Sequence, residues 1–215
     1  LISRVTREKR AAKGAAVLTK IGAGEDVPVA VIMRNDLTQL EVMRAAALAG
    51  TVLVALNWHA AADEVAAICD DSGARFIIIH RDLIEAVGPA LKGRQVIAVS
   101  PGQALCNAYS IDLAMANAEA GVPEWSALVD AQAPLPERTT MRPILRYTSG
   151  STGRPKGVRR LQIGLRKDFE DVLHRVATEM LQLDSGSRFF TAAPIYHSAP
   201  STLISAALVP KGVST

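Results

Sequence analysis

Beyond Gly24 the chain alternates short apolar runs with longer stretches in which apolar residues recur at helical spacing. Val27 to Met33 is an apolar run of strand length. Asn35 or Asp36 can then cap a helix with Leu37, Leu40, Val42, Met43 and Ala47 facing inward, and Gly50 can end it. Thr51 to Leu56 reads as a second strand, and Asp63 to Ser72 as a helix with Val65, Ile68 and Cys69 on one side. Arg75 to His80 reads as a third strand. A helix from Asp82 to Leu91 leads to a fourth strand, Gln95 to Ser100. Strand-helix alternation of this kind predicts an α/β fold, a mostly parallel sheet with flanking helices.

The pattern weakens from Pro101 to Met141, where Pro123 to Val129 reads as a short helix with Trp125 inward and Ala131 to Pro143, with three prolines, as a connector. Ile144 to Thr148 is a strand that delivers a glycine-rich loop. Phe169, Val172, Leu173, Val176, Ala177, Met180 and Leu181 then recur at helical intervals, which predicts an amphipathic helix over Lys167 to Gln182. Gly186 ends that unit, and Phe189 to Ala193 reads as a strand leading into a turn at Tyr196 and His197. The first 20 residues place Arg4, Arg7, Lys9, Arg10, Lys13 and Lys20 beside Val5, Ala12, Ala16 and Val17. A membrane-surface or nucleic-acid arm is one reading of that segment. The helical spacing, closed by Gly22 and Gly24, favours a solvated amphipathic helix ahead of the first strand.

The candidate chemistry lies in Leu145 to Val158, L-R-Y-T-S-G-S-T-G-R-P-K-G-V. Gly150, Gly153 and Gly157 let the backbone approach a ligand closely. Tyr147, Thr148, Ser149, Ser151 and Thr152 add hydroxyls, and Lys156 adds a mobile positive charge. Such a loop suits polyphosphate oxygens. A Walker loop needs a glycine directly before its lysine and a magnesium-binding hydroxyl directly after it. Pro155 and Gly157 occupy those two places, so that reading fails. An ordinary Gly/Ser/Thr turn does not require so many constrained positions.

Y-T-S-G-S-T-G-R-P-K-G-V resembles the phosphate-binding signature of the AMP-forming adenylating superfamily, which includes acyl-CoA synthetases, peptide-synthetase adenylation domains and luciferases. Ser151, where threonine is usual, is the one departure inside the signature and keeps the hydroxyl. A-P-I-Y-H-S-A-P from Ala193 to Pro200 resembles the family's next motif. The segments starting at Val29, Ala46 and Asp70 resemble its leading ones in the same order. The resemblance implies that Thr148, Ser149, Gly150, Ser151, Thr152, Gly153 and Lys156 hold the β- and γ-phosphates of ATP, with Arg154 and Pro155 shaping the loop. It also implies that His197, with Tyr196 packed nearby, lines the junction of carboxylate, nucleotide and thiol access as a positioning group. Lys156 and His197 are therefore the expected catalytic residues. The expected reaction is activation of a carboxylic acid to an acyl-adenylate and then an acyl-CoA, with ATP carrying Mg2+ and coenzyme A as co-substrate. The Y-H-S-A-P form and the Leu56, Asn57, Trp58 triplet resemble acyl-CoA synthetases, and the Y-H-S-A-P form alone points to a fatty-type acid.

Composition narrows the setting. Apolar residues make up 49% of the 215, enough for a sizeable core, and the net charge of +3 is too small to argue for nucleic acid. A pI near 9.0 permits weak attraction to anionic surfaces, including peripheral membrane contact. No apolar run reaches the roughly 20 residues needed to cross a bilayer. Cys69 and Cys106 have no C-x-x-C or zinc-ligand partners, so reduced thiols in a cytoplasmic protein are expected, with no protein-bound metal. His59 and His80, near strand ends without evident partners, and His174, on the polar side of its helix, read as ordinary residues. Asp63 with Glu64 and Asp70 with Asp71 read as helix-end carboxylates.

The family's later motifs are not found after Pro200: a Y-G-x-T-E segment, a ribose-binding aspartate, and a C-terminal lid with a lysine. Arg159 and Arg160 also depart from the commoner T-H or S-H. The expected layout is a partial N-terminal AMP-binding domain over 1–215, with a leading α/β portion at 1–130, a connector at 131–143, a site-bearing portion at 144–215 and no lid domain. A start at Leu1 points to a trimmed chain or a fragment that acts with the remainder of its polypeptide. The alternative is a truncated, non-catalytic nucleotide-binding remnant.

Overall fold

The computed structural model describes residues 3–24, 26–117, 121–136, 140–141, 144–148, 156–158, 164–184 and 186–208. The strands are β1 (Val29–Ile32), β2 (Leu53–Leu56), β3 (Phe76–His80), β4 (Gln95–Val99), β5 (Thr140–Met141), β6 (Leu145–Thr148), β7 (Lys156–Val158) and β8 (Gly164–Leu165). The helices are α1 (Arg4–Lys20), α2 (Leu37–Ala49), α3 (Ala62–Ser72), α4 (Gly88–Leu91), α5 (Gln103–Tyr109), α6 (Leu113–Asn117), α7 (Trp125–Asp130), α8 (Arg166–Arg175) and α9 (Ser198–Leu208).

Six strands form one sheet in the order β4-β3-β1-β2-β6-β7, parallel except for β7, and β5 pairs with β8 in a separate ribbon. Strand residues alternate between two cores. Val29, Val31, Leu53, Phe76, Ile78, Ile97 and Val99 pack with α1, α2 and α7. Ala30, Ile32, Val54, Leu56, Ile77 and Ile79 pack with α3 and α4 on the opposite face. Burial on both faces is why these strands are apolar throughout rather than alternating.

The basic N-terminal helix is a packed element. Ser3 caps α1 by accepting from the Thr6 N–H, and Ala11, Ala15, Val17 and Leu18 are buried. Two of its charges are paired across the packed face: Arg10 bonds Glu41 at 2.6 Å and Asp130 at 3.1 Å, and Glu8 accepts from Arg44 at 3.0 Å. Trp125, fully buried as expected, donates from Nε1 to the same Glu41 at 2.9 Å.

Several expectations are corrected. In α2 the buried positions are Gln39, Val42, Ala45, Ala46, Leu48 and Ala49, while Leu37 is exposed. An alanine-rich helix has almost no polar side from which to choose its buried face. The continuous helix over Asp82 to Leu91 is instead a 3-10 turn at Arg81–Leu83 followed by α4. Pro89 has no N–H to donate to the turn before it, so the helix restarts with the proline in the first turn of α4. Helices α5 and α6 fill the stretch after Pro101 that showed no clear period, and the connector contains β5. Phe189 to Ala193 forms no ladder, and Phe190 is 86% exposed. The helix expected over Lys167 to Gln182 widens to a π-helix at Val176–Met180, which turns later side chains off its stripe. Leu173 and Ala177 are buried and Met180, inside the π-helical turn, is exposed; Phe169 and Val172 are exposed ahead of that turn, which does not account for them. Among the described residues no helix is long and apolar enough to cross a membrane.

The α1 seam yields the first prediction. A Cβ on Gly14 would lie 2.8 Å from Trp125 Cζ2 and 3.0 Å from Ala45 Cβ. Glycine to alanine inside a helix ordinarily stabilises by about 1 kcal/mol. Here the overlap with a rigid, buried indole reverses the sign, and Gly14→Ala is expected to destabilise by about 1–3 kcal/mol in urea unfolding.

Candidate functional site at the carboxyl edge of the sheet

Parallel strands release their following loops at one edge, so the carboxyl ends of β1, β2, β3 and β6 bring Arg34 to Asp36, Asn57 to His59, His80 to Asp82, and Thr148 together. Chain connections diverge there, with β2 and β3 on opposite sides of β1, the arrangement in which α/β sheets bind ligands.

Thr148 ends β6, and the chain returns antiparallel along β7 with Lys156 opposite Thr148 and Gly157 opposite Tyr147. Ser149, Gly150, Ser151, Thr152 and Gly153 lie outside the described residues, as do Arg154, Pro155, Arg159 and Arg160. The two sides of the hairpin set its shape. A Cβ at Gly157 would meet the Tyr147 ring at 3.0 Å, so glycine is what lets the return strand pass over that ring. Tyr147 in turn donates its hydroxyl to Asp71 Oδ2 at 2.5 Å, tying the strand before the loop to the end of α3. The partner of Asp71 lies 76 residues away, so it was not legible locally. Asp70 pairs with Arg94. Lys156 is exposed.

The second motif closes on the first through α9. Arg146 on β6 donates to the buried Ser201 Oγ, four residues beyond His197. The His197 N–H donates to the Pro194 carbonyl at 3.1 Å, and its own carbonyl accepts from the Ser201 N–H at 3.2 Å, starting α9. His197 is exposed, and its ring lies 4.4 Å from that of half-buried Tyr196. Burial pushes the Tyr196 phenol above its ordinary value. The preceding segment borders a cleft of about 480 Å3 lined by Asn35, Trp58, His59, Tyr109, Ala192 and Pro194.

A polar cluster not expected from sequence underlies this cleft. His80 has two partners: its Nδ1 accepts from the Arg34 N–H at 3.2 Å, which places the ring proton on Nε2, 3.3 Å from Asp36 Oδ2. Its full burial follows from that pairing. Burial pushes the Asp36 carboxyl up, but the bond from His80 and the Thr38 and Leu37 N–H groups outweigh it and hold the carboxyl below the ordinary aspartate value. The Arg34 guanidinium lies 2.8 Å from Asp82 as an ion pair without an aligned hydrogen bond, 4.6 Å from the centre of the Trp58 ring and 5.1 Å from that of Tyr109. His59 stacks on Trp58 at 3.4 Å and is exposed, as is His174. Cys69 and Cys106 are free and buried, and burial pushes the Cys69 thiol up to about 11. Among the described residues no group of three or more His, Cys, Asp or Glu is placed to hold a metal ion.

Two predictions follow from the cluster. Asp82→Ala leaves the Arg34 charge buried without its counter-ion and is expected to cost about 3–5 kcal/mol in chemical denaturation, while Arg34→Met combined with Asp82→Leu costs much less. Because Asp36 titrates below its unfolded value of 3.8, its contribution is complete above that pH and is lost as pH falls through the folded value. Asp36→Asn is therefore expected to flatten the loss of stability as pH falls below about 4, measured by unfolding at stepped pH.

Comparison with known proteins agrees with this architecture. A feruloyl-CoA synthase of an Amycolatopsis species is 30% identical over 204 residues, covering 95% of this chain and 36% of that protein. A naringenin synthase of Pestalotiopsis fici is 29% identical over 217 residues, covering 96% of this chain and 7% of that protein. The chain thus spans about a third or less of the curated relatives it matches. The crystal structure of a benzoate CoA ligase from Burkholderia xenovorans superposes with a TM-score of 0.72 at 19% identity, over 98% of this chain and 38% of that one. Residues 6–213 match the family described as AMP-binding enzyme, and the chain belongs to that family.

Proposed function

We propose that this chain forms the phosphate-binding part of an enzyme that joins a carboxylic acid to the AMP portion of ATP, releases pyrophosphate, and passes the acyl group to the thiol of coenzyme A. The observation that carries the reading is the β6–β7 hairpin at the carboxyl edge of the sheet, tied by Arg146 and Ser201 to the helix that follows His197. In-line attack of a carboxylate on the α-phosphorus needs no protein nucleophile, only alignment and positive charge on the departing pyrophosphate. Thr148, Ser149, Gly150, Ser151, Thr152 and Gly153 would supply short donors to the β- and γ-phosphates, with Lys156 as the protein cation. Magnesium would arrive with ATP. Its chemistry is to neutralise phosphate charge. His197, paired with Tyr196, would orient the acid carboxylate beside the nucleotide. The site spans the 144–215 portion of an N-terminal AMP-binding domain, in a cytoplasmic enzyme that acts with the remainder of its polypeptide.

The acid itself separates into two classes. The Y-H-S-A-P form points to a fatty-type acid, whereas the relatives named for feruloyl-CoA and benzoate point to an aryl acid. Acid-dependent exchange of labelled pyrophosphate into ATP, run with fatty and aryl acids on the full polypeptide, tests the reading and ranks the two classes. Exchange with none of them, alongside ATP binding by calorimetry, would leave a nucleotide-binding remnant instead. Lys156→Ala is expected to lower the exchange rate by about 10- to 100-fold, corresponding to one charge-assisted contact of about 1.5–3 kcal/mol.

A further inference from the structure

We propose that Asn35 is a positioning residue of this site, whose carboxamide holds the backbone that presents His197; the inference rests on the role given to His197 above. Asn35 offers a donor and an acceptor in one plane, and the segment before His197 offers the complementary pair. Nδ2 donates to the Ala193 carbonyl at 3.0 Å, and Oδ1 accepts from the Ile195 N–H at 2.9 Å. A carbonyl and an N–H two residues apart are the groups a neighbouring strand would pair, so the side chain takes the place of one strand residue. The two amide bonds attach the backbone of this segment to the loop that leaves β1.

Both ends of the contact are fixed. Asn35 follows Arg34, whose N–H is held by the fully buried His80. Ile195, at 2% exposure, anchors the segment through its side chain. Tyr196 alone separates Ile195 from His197, and the His197 N–H folds back onto the Pro194 carbonyl. The imidazole therefore inherits its place from the turn over Pro194 to His197, which Asn35 pins at Ala193, just before it, and at Ile195, inside it. A carboxylate cannot substitute. Aspartate keeps an acceptor for Ile195 but sets its second oxygen against the Ala193 carbonyl, and alanine keeps neither bond.

The experiment has a structural arm and a catalytic arm, both on the full polypeptide. In hydrogen exchange, Asn35→Ala and the near-isosteric Asn35→Asp are expected to speed exchange of the Ile195 to His197 amides by about tenfold or more, with β1 and β3 amides as protected as before. Unchanged exchange in that segment overturns the clamp whatever the enzyme does. In acid-dependent pyrophosphate exchange, each variant is expected to lower kcat by about 10- to 100-fold, the order that a misplaced reacting group costs, with the KM for ATP unmoved. On a His197→Ala background the same changes are expected to cost less than about twofold, because Asn35 acts through His197. Equal losses in both backgrounds overturn the positioning role. Absence of exchange in the unaltered protein sinks the proposed function and the catalytic half of this inference with it, while the structural arm still decides the clamp.

Discussion

Parallel strands cannot be joined by tight turns. Each needs a crossover that covers a face of the sheet, and with α1, α2 and α7 on one side and α3 and α4 on the other, both faces of β1, β2 and β3 are covered. That constraint has a second consequence at the sheet's ends. Every loop leaving a parallel strand starts at the same edge, so residues as distant as Asn35, Trp58, His80 and Thr148 begin their excursions side by side. The site is a product of the sheet's polarity before it is a product of any side chain.

At that edge the burial of polar groups has to be compensated, and the compensation organises the loops. His80 satisfies the Arg34 N–H and faces Asp36, while Arg34 reaches Asp82 between the rings of Trp58 and Tyr109. Each group satisfies or neutralises a neighbour from another strand end, so the loops after β1, β2 and β3 are coupled. Asn35 extends the same logic outward to Ala193 and Ile195, and Arg146 does so to Ser201. These links join the phosphate-loop strand, the leading strands and the His197 turn into one unit, though they lie up to 160 positions apart.

The strands from Val29 to Val99, α3 with its Val65, Ile68 and Cys69 face, and the inward Trp125 were legible because each is encoded by local apolar spacing or by a bounded apolar run. Where local signals were ambiguous, reading failed for identifiable reasons. Alanine-rich α2 could not declare its buried side, and Pro89 broke a helix whose apolar spacing continued across it. The period of α8 ran on through a π-helical turn that rotates the later side chains. Apolar Phe189 to Ala193 looked like a strand, but it is not part of a strand in the described residues, and the end of the segment is bonded at Ala193 by the Asn35 carboxamide. His80 and Asp71 looked ordinary because their partners are remote in sequence.

The sequence by itself determined the class of sheet, the glycine-rich loop with its exclusion of the Walker arrangement, and the pairing of Tyr196 with His197, since each is written in contiguous residues. Only the tertiary structure decided that Gly157 faces the Tyr147 ring, that Asp71 restrains that tyrosine, and that Asn35 carries the backbone before His197. The physical reason is range. Backbone propensity and hydrophobic period act over a few residues, whereas a side-chain hydrogen bond takes whichever partner the folded sheet brings within about 3 Å.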